Sequence, residues 1–178
     1  MRPTKPTVGR VLSVNVSTRK RVPKEPVAEA ELRPDVGLVG DVHSGPGLRQ
    51  VSLLASESIE KQRRVFQERQ ASGELREECG KGYDVVAGLG PGSFAENLTI
   101  EGIALAQLPL GTRLRVGAEA VLEISKIGKE CHTGCAIFQL LGDCVMPREG
   151  VFARVVAGGV VRPGDEVHVD EGGDSDRK

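Results

Sequence analysis

Residues 151–169 read VFARVVAGGVVRPGDEVHV, and this stretch decides the fold class. Its short apolar runs are separated by Gly158 and Gly159 and then by Pro163 and Gly164. Glycine and proline pairs of this kind are turn signals between β-strands. The stretch therefore predicts a series of strands joined by tight turns.

Strand patterns of the same character recur along the chain. In residues 8–16 the side chains alternate between two faces, as they do in a strand. The candidate strands are VGRVLSVNV (8–16), VAEAEL (27–32), LRQVSLL (48–54), AENLTI (95–100), TRLRVG (112–117) and EAVLEIS (119–125). The segment from Ser56 to about Arg69 is the most helix-like, with Ser56 as its predicted N-cap.

These patterns predict a mainly β fold, a barrel of short and mostly antiparallel strands with a few helical insertions. We expect residues 1–170 to form one domain and residues 171–178 to be a disordered tail. The glycine-rich stretch GLVGDVHSGPG at 37–47 is expected to be loop or turn backbone.

The composition excludes several functional classes. The chain has 178 residues, a net charge of -1 and no tryptophan, which argues against a general nucleic-acid binder. No apolar run approaches the ~20 residues that a membrane helix needs, and no apolar stretch follows the first charges. We therefore expect a cytoplasmic protein with no membrane partner.

The cysteines supply the first functional clue. In a reducing compartment they are expected to be free thiols, ligands or nucleophiles. Cys131 precedes a predicted short helix, GCAIFQLL at 134–141, and lies near Lys126 and Lys129. A helix N-terminus and nearby ammonium groups both favour the thiolate, so we expect Cys131 to be the reactive cysteine. The other cysteines are Cys79, Cys135 and Cys144, for which simple packing is the first interpretation.

Two further interpretations stay open for this region. His43 could serve as the base for Cys131 if the fold brings the two together, although Asp41 and His43 could also be turn residues only. The cysteines could instead form a structural zinc site in the β-barrel, but their spacing lacks the paired C-x2-C arrangement of zinc domains.

Four segments of the sequence resemble the MOSC domain family, named for the C-terminal domain of molybdenum cofactor sulfurases. They are GLVGDVH at 37–43, PGSFAENLTIEG at 91–102, the Cys131 segment after EAVLEIS, and FARVVAGGVVRPGDEV at 152–167. With the opening strand, the resemblance covers about residues 8 to 170. This chain has Ala95 where the family often has glycine, a difference expected to be harmless, and Glu130 where proline often precedes the key cysteine.

The resemblance implies a strand-rich barrel that binds the molybdenum cofactor (molybdopterin), with Cys131 binding molybdenum or carrying sulfur. It places Asp41 and His43 at the GD-x-H positions and Glu96 and Asn97 at the E-N positions of the family. Soft thiolate suits a sulfur-rich metal centre. The phosphate of the pterin would need cationic donors, for which the candidates are Lys126, Lys129, Arg148 and Arg154.

The resemblance leaves two functions open. The first is a stand-alone cofactor-binding or sulfur-carrier protein that works with a cysteine desulfurase or a molybdoenzyme. The second is a small molybdenum-dependent oxidoreductase that reduces N-hydroxylated compounds. Redox relatives usually carry an additional β-rich or ferredoxin-like domain that this chain lacks, so we favour the carrier. Pyridoxal phosphate is expected only on a separate desulfurase partner.

Overall fold

The computed structural model describes residues 7–20, 22–74, 89–130 and 136–170. The strands within these ranges are β1 (Val8–Val16), β2 (Glu25–Val27), β3 (Ala30–Arg33), β4 (Gly37–Leu38), β5 (Val51–Ala55), β6 (Leu98–Glu101), β7 (Arg113–Val116), β8 (Ala120–Ile127), β9 (Val151–Ala157), β10 (Gly159–Val161) and β11 (Glu166–Asp170). The helices are α1 (Ser56–Ser72), α2 (Ala136–Leu141) and α3 (Met146–Glu149), with a 3₁₀ turn at Leu105–Gln107. The predicted tail at 171–178 lies outside the described residues.

The main sheet closes into a barrel. Its strands follow the order β11-β7-β8-β9-β5-β6-β1, and β1 pairs back to β11 with Val8 opposite His168. All neighbours in this ring are antiparallel except β5 and β6, which run parallel with Leu53 opposite Leu98. β2 pairs with β1, and a small second sheet has the order β10-β3-β4. The structure confirms the predicted barrel of mostly antiparallel strands.

The opening strand shows how the sequence pattern builds the barrel wall. On β1, Val11, Ser13 and Asn15 are buried, whereas Arg10 and Leu12 are exposed. The pairing of β1 with β6 shifts register between Val11 and Ser13, as at a β-bulge, and burial then continues through Val14. Polar Ser13 and Asn15 are thereby carried into the interior.

Two apolar clusters stabilise the fold. The first fills the barrel with aliphatic side chains, and its largest fully buried members are Leu32, Leu38, Leu53, Leu98, Ile100, Leu105, Leu114, Leu122 and Ile124. The second lies between the barrel wall and the helices, and includes Leu54, Ile59, Phe66, Leu89, Phe94, Ile137, Leu141, Cys144, Met146 and Phe152. Burial of apolar area is the main stabilising contribution of such clusters.

The helices α1 and α2 match the sequence prediction in position, but the predicted capping of α1 differs and α3 has no counterpart in the prediction. The helix α1 has Ala55 as its N-cap residue and no side-chain cap hydrogen bond, so the predicted N-cap at Ser56 is wrong. Ser56 Oγ instead hydrogen-bonds the carboxylate of Glu57 at 3.2 Å. The short helix predicted after Cys131 is present as α2, followed by Gly142 with φ 69°. None of the helices within the described ranges combines the length and apolar content needed to cross a bilayer.

One loop prediction needs correction. Within the stretch 37–47, Gly37 and Leu38 form the strand β4, with Leu38 opposite Leu32 on β3. Gly37 has φ 90°, and a Cβ there would lie 2.1 Å from the carbonyl oxygen of Gln50. The four glycines and the proline of this stretch predict loop or turn backbone, but at Gly37 the glycine is required by this close backbone approach within a strand pair.

Candidate functional site

A cavity of about 140 Å³ lies where several loops meet. It is lined by His43, Arg49, Ser52, Phe94, Ala95, Asn97, Lys129, Met146 and Phe152. The GD-x-H loop, the loop before β6 and the end of the β8 segment thus contribute to one cavity. The structure brings together three of the residues singled out in the sequence, His43, Asn97 and Lys129.

Asp41 lies beneath this cavity rather than in its lining. Its side chain is 2% exposed and pairs with the 1% exposed side chain of Lys24 at 2.6 Å. The Asp41 carboxylate also accepts hydrogen bonds from the backbone N–H of Ser17 and of His43, each at 3.0 Å. Burial raises the pKa of Asp41, but the bonds from Lys24 and from the two amides outweigh burial and hold that pKa below its ordinary value. Asp41 therefore fixes the loop that presents His43.

The ring of His43 is half exposed and faces both Lys24 and the cavity. Its Nδ1 atom lies 3.2 Å from Lys24 Nζ and 3.7 Å from Asp41 Oδ2. Burial lowers the pKa of His43, and the positive charge of Lys24 lowers it further against the opposing charge of Asp41. The neutral form of the imidazole therefore predominates at pH 7.

Glu96 is fully buried and shapes the loop that precedes β6. Its Oε1 accepts hydrogen bonds from the backbone N–H of Gly92 at 2.6 Å and from Thr99 Oγ1 at 2.8 Å. Its Oε2 accepts a hydrogen bond from the backbone N–H of Phe94 at 3.1 Å. Burial raises the pKa of Glu96, and these hydrogen bonds oppose that rise. The carboxylate is thus bound within its own loop, and Glu96 does not line the cavity.

Ala95 adopts a left-handed backbone conformation, with φ 61°. Such a conformation costs an L-residue with a Cβ roughly 1–2 kcal/mol. The replacement of the family's glycine by Ala95, expected to be harmless, is therefore a source of strain. The hydrogen bonds that Glu96 accepts from this loop offset that strain.

Asn97, which directly precedes β6, lines the cavity, and its side chain links β5 to β1. Its Oδ1 accepts a hydrogen bond from the backbone N–H of Ser52 on β5 at 3.1 Å, and its Nδ2 donates to the carbonyl of Asn15 on β1 at 3.2 Å. Asn15 in turn donates through Nδ2 to the carbonyl of Glu96 at 3.3 Å. The polar interior side chains of β1 therefore support the cavity floor.

Two cations, Arg49 and Lys129, line the cavity. Among the described residues, neither Arg49 nor Lys129 forms a side-chain ion pair. The guanidinium of Arg49 lies 5.4 Å from the ring centre of Phe152, at cation–π distance. Ser125 donates its hydroxyl hydrogen to the carbonyl of Leu48, which ties the segment before Arg49 to β8. The cavity therefore has a positive potential suited to an anionic ligand.

Three other predicted cationic donors lie outside the cavity lining. Arg148 on α3 makes a two-pronged ion pair with Asp143, at 2.8 and 3.2 Å. Arg154 on β9 pairs with Glu123. Lys126, on β8, does not line the cavity either.

Cys131, Cys135 and Cys79 lie outside the described residues, so their predicted roles stay predictions. Cys144 is 6% exposed and packs in the second apolar cluster. Within the described ranges, no three or more His, Cys, Asp or Glu side chains are grouped so that they could hold a metal ion. The described part of the chain thus supplies no alternative metal centre to one at the cysteines.

Sequence reasoning missed two residues of this region, Lys24 and Arg49. Lys24 lies in the charged stretch STRKRVPKEP, which gives no local sign that its ammonium is buried. Arg49 directly follows the glycine-rich loop and precedes a buried strand, which is the only signal that could have placed it near the loop.

Comparison with known proteins agrees with this architecture. A model of the MOSC domain family matches residues 40–168. The YUAD protein from Bacillus subtilis superposes with a TM-score of 0.65 at 16% identity, covering 93% of this chain and 97% of that one. YiiM from Escherichia coli superposes with a TM-score of 0.61 at 18% identity, covering 96% of this chain and 72% of that one. YiiM from Geobacillus stearothermophilus superposes with a TM-score of 0.56 at 18% identity, covering 94% of this chain and 77% of that one. At these identities the likeness shows the fold alone, and a comparison with curated protein sequences finds no match.

Proposed function

Because this chain belongs to the MOSC domain family, we propose that it binds a molybdopterin-type cofactor, or carries sulfur for one, with Cys131 as the reactive residue. MOSC domains are associated with the molybdenum cofactor in general, and that association is the starting point of the proposal. The observation that carries it furthest is the cavity at His43 and Asn97, whose two cations, Arg49 and Lys129, form no ion pair with the described residues.

The donors at the cavity fit an anionic ligand rich in oxygen or sulfur. Arg49 can donate two parallel hydrogen bonds to a phosphate, and Lys129 adds a second positive charge. The ring of Phe152, already in contact with Arg49, provides an apolar surface beside them. These features support Arg49 and Lys129 as the phosphate donors, in place of Arg148 and Arg154, whose charges are already paired.

The volume of the cavity limits how much of a cofactor it encloses. At about 140 Å³ it is smaller than the roughly 300–1,000 Å³ of pockets that bury a drug-sized ligand. We therefore expect the cavity to hold one end of the cofactor, with the remainder at the open mouth.

Cys131 enters the proposal through the sequence. It follows the cavity residue Lys129 by two positions and precedes α2, which starts at Ala136. A thiolate there could ligate molybdenum or hold a persulfide, and a reducing cytoplasm would keep it free of disulfides. The bound cofactor would supply the redox or sulfur chemistry, and this chain would bind and orient it. A desulfurase that carries pyridoxal phosphate or a recipient molybdoenzyme would be the partner.

The cavity part of the proposal is tested by removing its charges. Arg49→Ala/Lys129→Ala, co-expressed with cofactor biosynthesis and purified, should retain at least about tenfold less molybdenum and pterin per chain than the wild type, since each charge-assisted hydrogen bond is worth about 1.5–3 kcal/mol. The matched control is Arg113→Ala/Lys61→Ala, which removes the same charges from ion pairs with Glu123 and Glu149. Equal retention by the two double variants would rule out this cavity as the binding site.

A further inference from the structure

The buried ammonium of Lys24 uses all of its hydrogen-bonding capacity on two side chains. It lies 2.6 Å from each carboxylate oxygen of Asp41 and 3.2 Å from Nδ1 of His43. A lysine ammonium has three N–H donors and no acceptor. Each of the three contacts can therefore take one donor, and none of them can run in the opposite direction.

This geometry determines the tautomer of His43. Because Lys24 can only donate, Nδ1 must accept with its lone pair and carry no proton. In a neutral imidazole one ring nitrogen is the donor and the other the acceptor, so the proton resides on Nε2. The position of the proton thus follows from heavy-atom contacts to Lys24.

We propose that Lys24 is a positioning residue that holds His43 as the Nε2–H tautomer, so that the ring donates a hydrogen bond to an anionic oxygen or sulfur of a ligand in the cavity. The hydrogen bond from His43 to a ligand rests on the proposed function. The tautomer of His43 does not, because it follows from the contacts with Lys24 alone. Lys24 itself would touch no ligand, since its side chain is 1% exposed.

Asp41 would favour the opposite tautomer if Lys24 were absent. Its Oδ2 lies 3.7 Å from His43 Nδ1, close enough to accept a hydrogen bond from an Nδ1–H after a small rotation of the ring. An Asp-His pair of that kind leaves Nε2 as an acceptor, which would repel an anionic ligand. Lys24 opposes this arrangement in two ways. Its N–H donors and the amides of Ser17 and His43 together use the four lone-pair sites of the Asp41 carboxylate. Its ammonium, 3.2 Å from Nδ1, would also repel a proton on that atom.

The backbone of Lys24 is fixed by the loop that precedes β6. Its N–H donates to the carbonyl of Gly92 at 2.9 Å. A Cβ on Gly92 would lie 2.1 Å from the carbonyl oxygen of Lys24, so the two segments are in close contact. Glu96 holds the same loop through the N–H of Gly92. Lys24 therefore connects the Glu96 loop to the His43 loop.

The ring state can be measured directly by ¹H–¹⁵N long-range NMR at pH 8, where the ring of His43 is neutral because its pKa lies below the ordinary value. The chain has only three histidines, and His43→Gln assigns the signals of His43. We expect Nδ1 of His43 to be unprotonated and Nε2 protonated in the wild type. Lys24→Met should shift the population toward Nδ1–H, and Lys24→Arg, which keeps a cationic donor, should restore Nε2–H at least in part.

The donor role is measured by adding molybdate as a probe oxyanion. The Nε2 signal of His43 should move on titration, that of His168 should not, and Lys24→Met should bind about tenfold more weakly, the loss of roughly one hydrogen bond. A protonated Nδ1 in the wild type, or an Nε2 signal that ignores molybdate, would overturn the inference. Both readings come from the wild type, so they stand even if Lys24→Met does not fold. If the wild type carried no cofactor but kept the Nε2–H signal of His43 and its response to molybdate, the proposed function would be wrong and the inference about His43 would stand.

Discussion

Asp41 is a binding residue in the sequence motif and a structural residue in the molecule. Its carboxylate neutralises Lys24 and accepts hydrogen bonds from the amides of Ser17 and His43, and Asp41 itself does not line the cavity. A charge buried in this way is stable only while its partners remain, because an isolated ion in the interior is strongly disfavoured. Within the GD-x-H motif, Asp41 thus fixes the loop, and His43 is the residue that lines the cavity.

The first prediction concerns Asp41→Asn. Breaking a buried ion pair should lower the free energy of unfolding at pH 7 by about 3–5 kcal/mol. Since the pKa of Asp41 is lowered in the folded state, its stabilisation is present above the unfolded pKa of about 3.9 and is lost as pH falls through the folded value. Urea unfolding measured from pH 7 to pH 2 should therefore show that the difference in free energy of unfolding between the variant and the wild type becomes smaller in acid.

The control is Asp170→Asn, which removes a carboxylate from an exposed pair with Arg115. It should change the free energy of unfolding by no more than about 1 kcal/mol. If the difference in free energy of unfolding between Asp41→Asn and the wild type stayed constant down to the lowest pH, the buried ion pair would be contradicted.

The second prediction concerns Ala95→Gly. Glycine adopts a positive φ without steric cost, so this change should relieve the strain at φ 61°. Because glycine also gains freedom in the unfolded chain, the net gain in the free energy of unfolding should be about 0.5–1 kcal/mol. Thermal unfolding would measure it, and a lower melting temperature for the variant would show that the backbone at Ala95 is not strained.

At the scale of elements, the cavity depends on the contact between the Lys24 segment and the Gly92 loop. Gly92 has φ 87°, and a Cβ there would lie 2.1 Å from the carbonyl oxygen of Lys24. Gly111 has nearly the same backbone conformation, φ 85°, but no atom within 4 Å of an added Cβ. Alanine at Gly111 would therefore test the effect of the left-handed backbone alone. Alanine at Gly92 would add a clash with the carbonyl of Lys24.

The third prediction compares Gly92→Ala with Gly111→Ala. Both should lose about 1–2 kcal/mol from the left-handed conformation. Gly92→Ala should lose at least about 2 kcal/mol more, because backbone must move to accept the Cβ, and the ring signals of His43 should change with it. Equal free energies of unfolding for the two variants would show that this close contact does not shape the site.

Much of the architecture could be predicted because strand patterns are local. The alternation in residues 8–16 and the turn pairs in residues 151–169 need only neighbouring residues to be read, and both regions form the predicted strands. The end of α2 before Gly142 is a local signal of the same kind.

The rest of the site depends on contacts between distant segments. Lys24 is buried only because Asp41 meets it from another loop, and the sequence around Lys24 is that of an ordinary charged turn. Likewise Arg148 looked available as an anion donor, but Asp143 pairs with it in the folded chain. Local patterns do not determine which charges are paired and which are free.

At the scale of the whole molecule, barrel closure places these loops together. The ring from β11 round to β1 joins the first and last strands, and the parallel pairing of β5 and β6 brings Ser52 beside Asn97. The loops that carry His43 and Asn97 and the residue Lys129 therefore meet at one cavity although they are far apart in sequence. We propose that this cavity and Cys131 serve one function.

The most direct test of that claim is the content of molybdenum, pterin and cyanide-labile sulfur per chain after co-expression with cofactor biosynthesis. The wild type and Cys144→Ser, whose thiol lies in the apolar cluster, should carry equal loads of cofactor or labile sulfur. Cys131→Ser should lose that load while unfolding at the same temperature, because a serine hydroxyl is a poor ligand for a soft metal and carries no persulfide. A full load on Cys131→Ser, or stoichiometric zinc in its place on the wild type, would contradict the account.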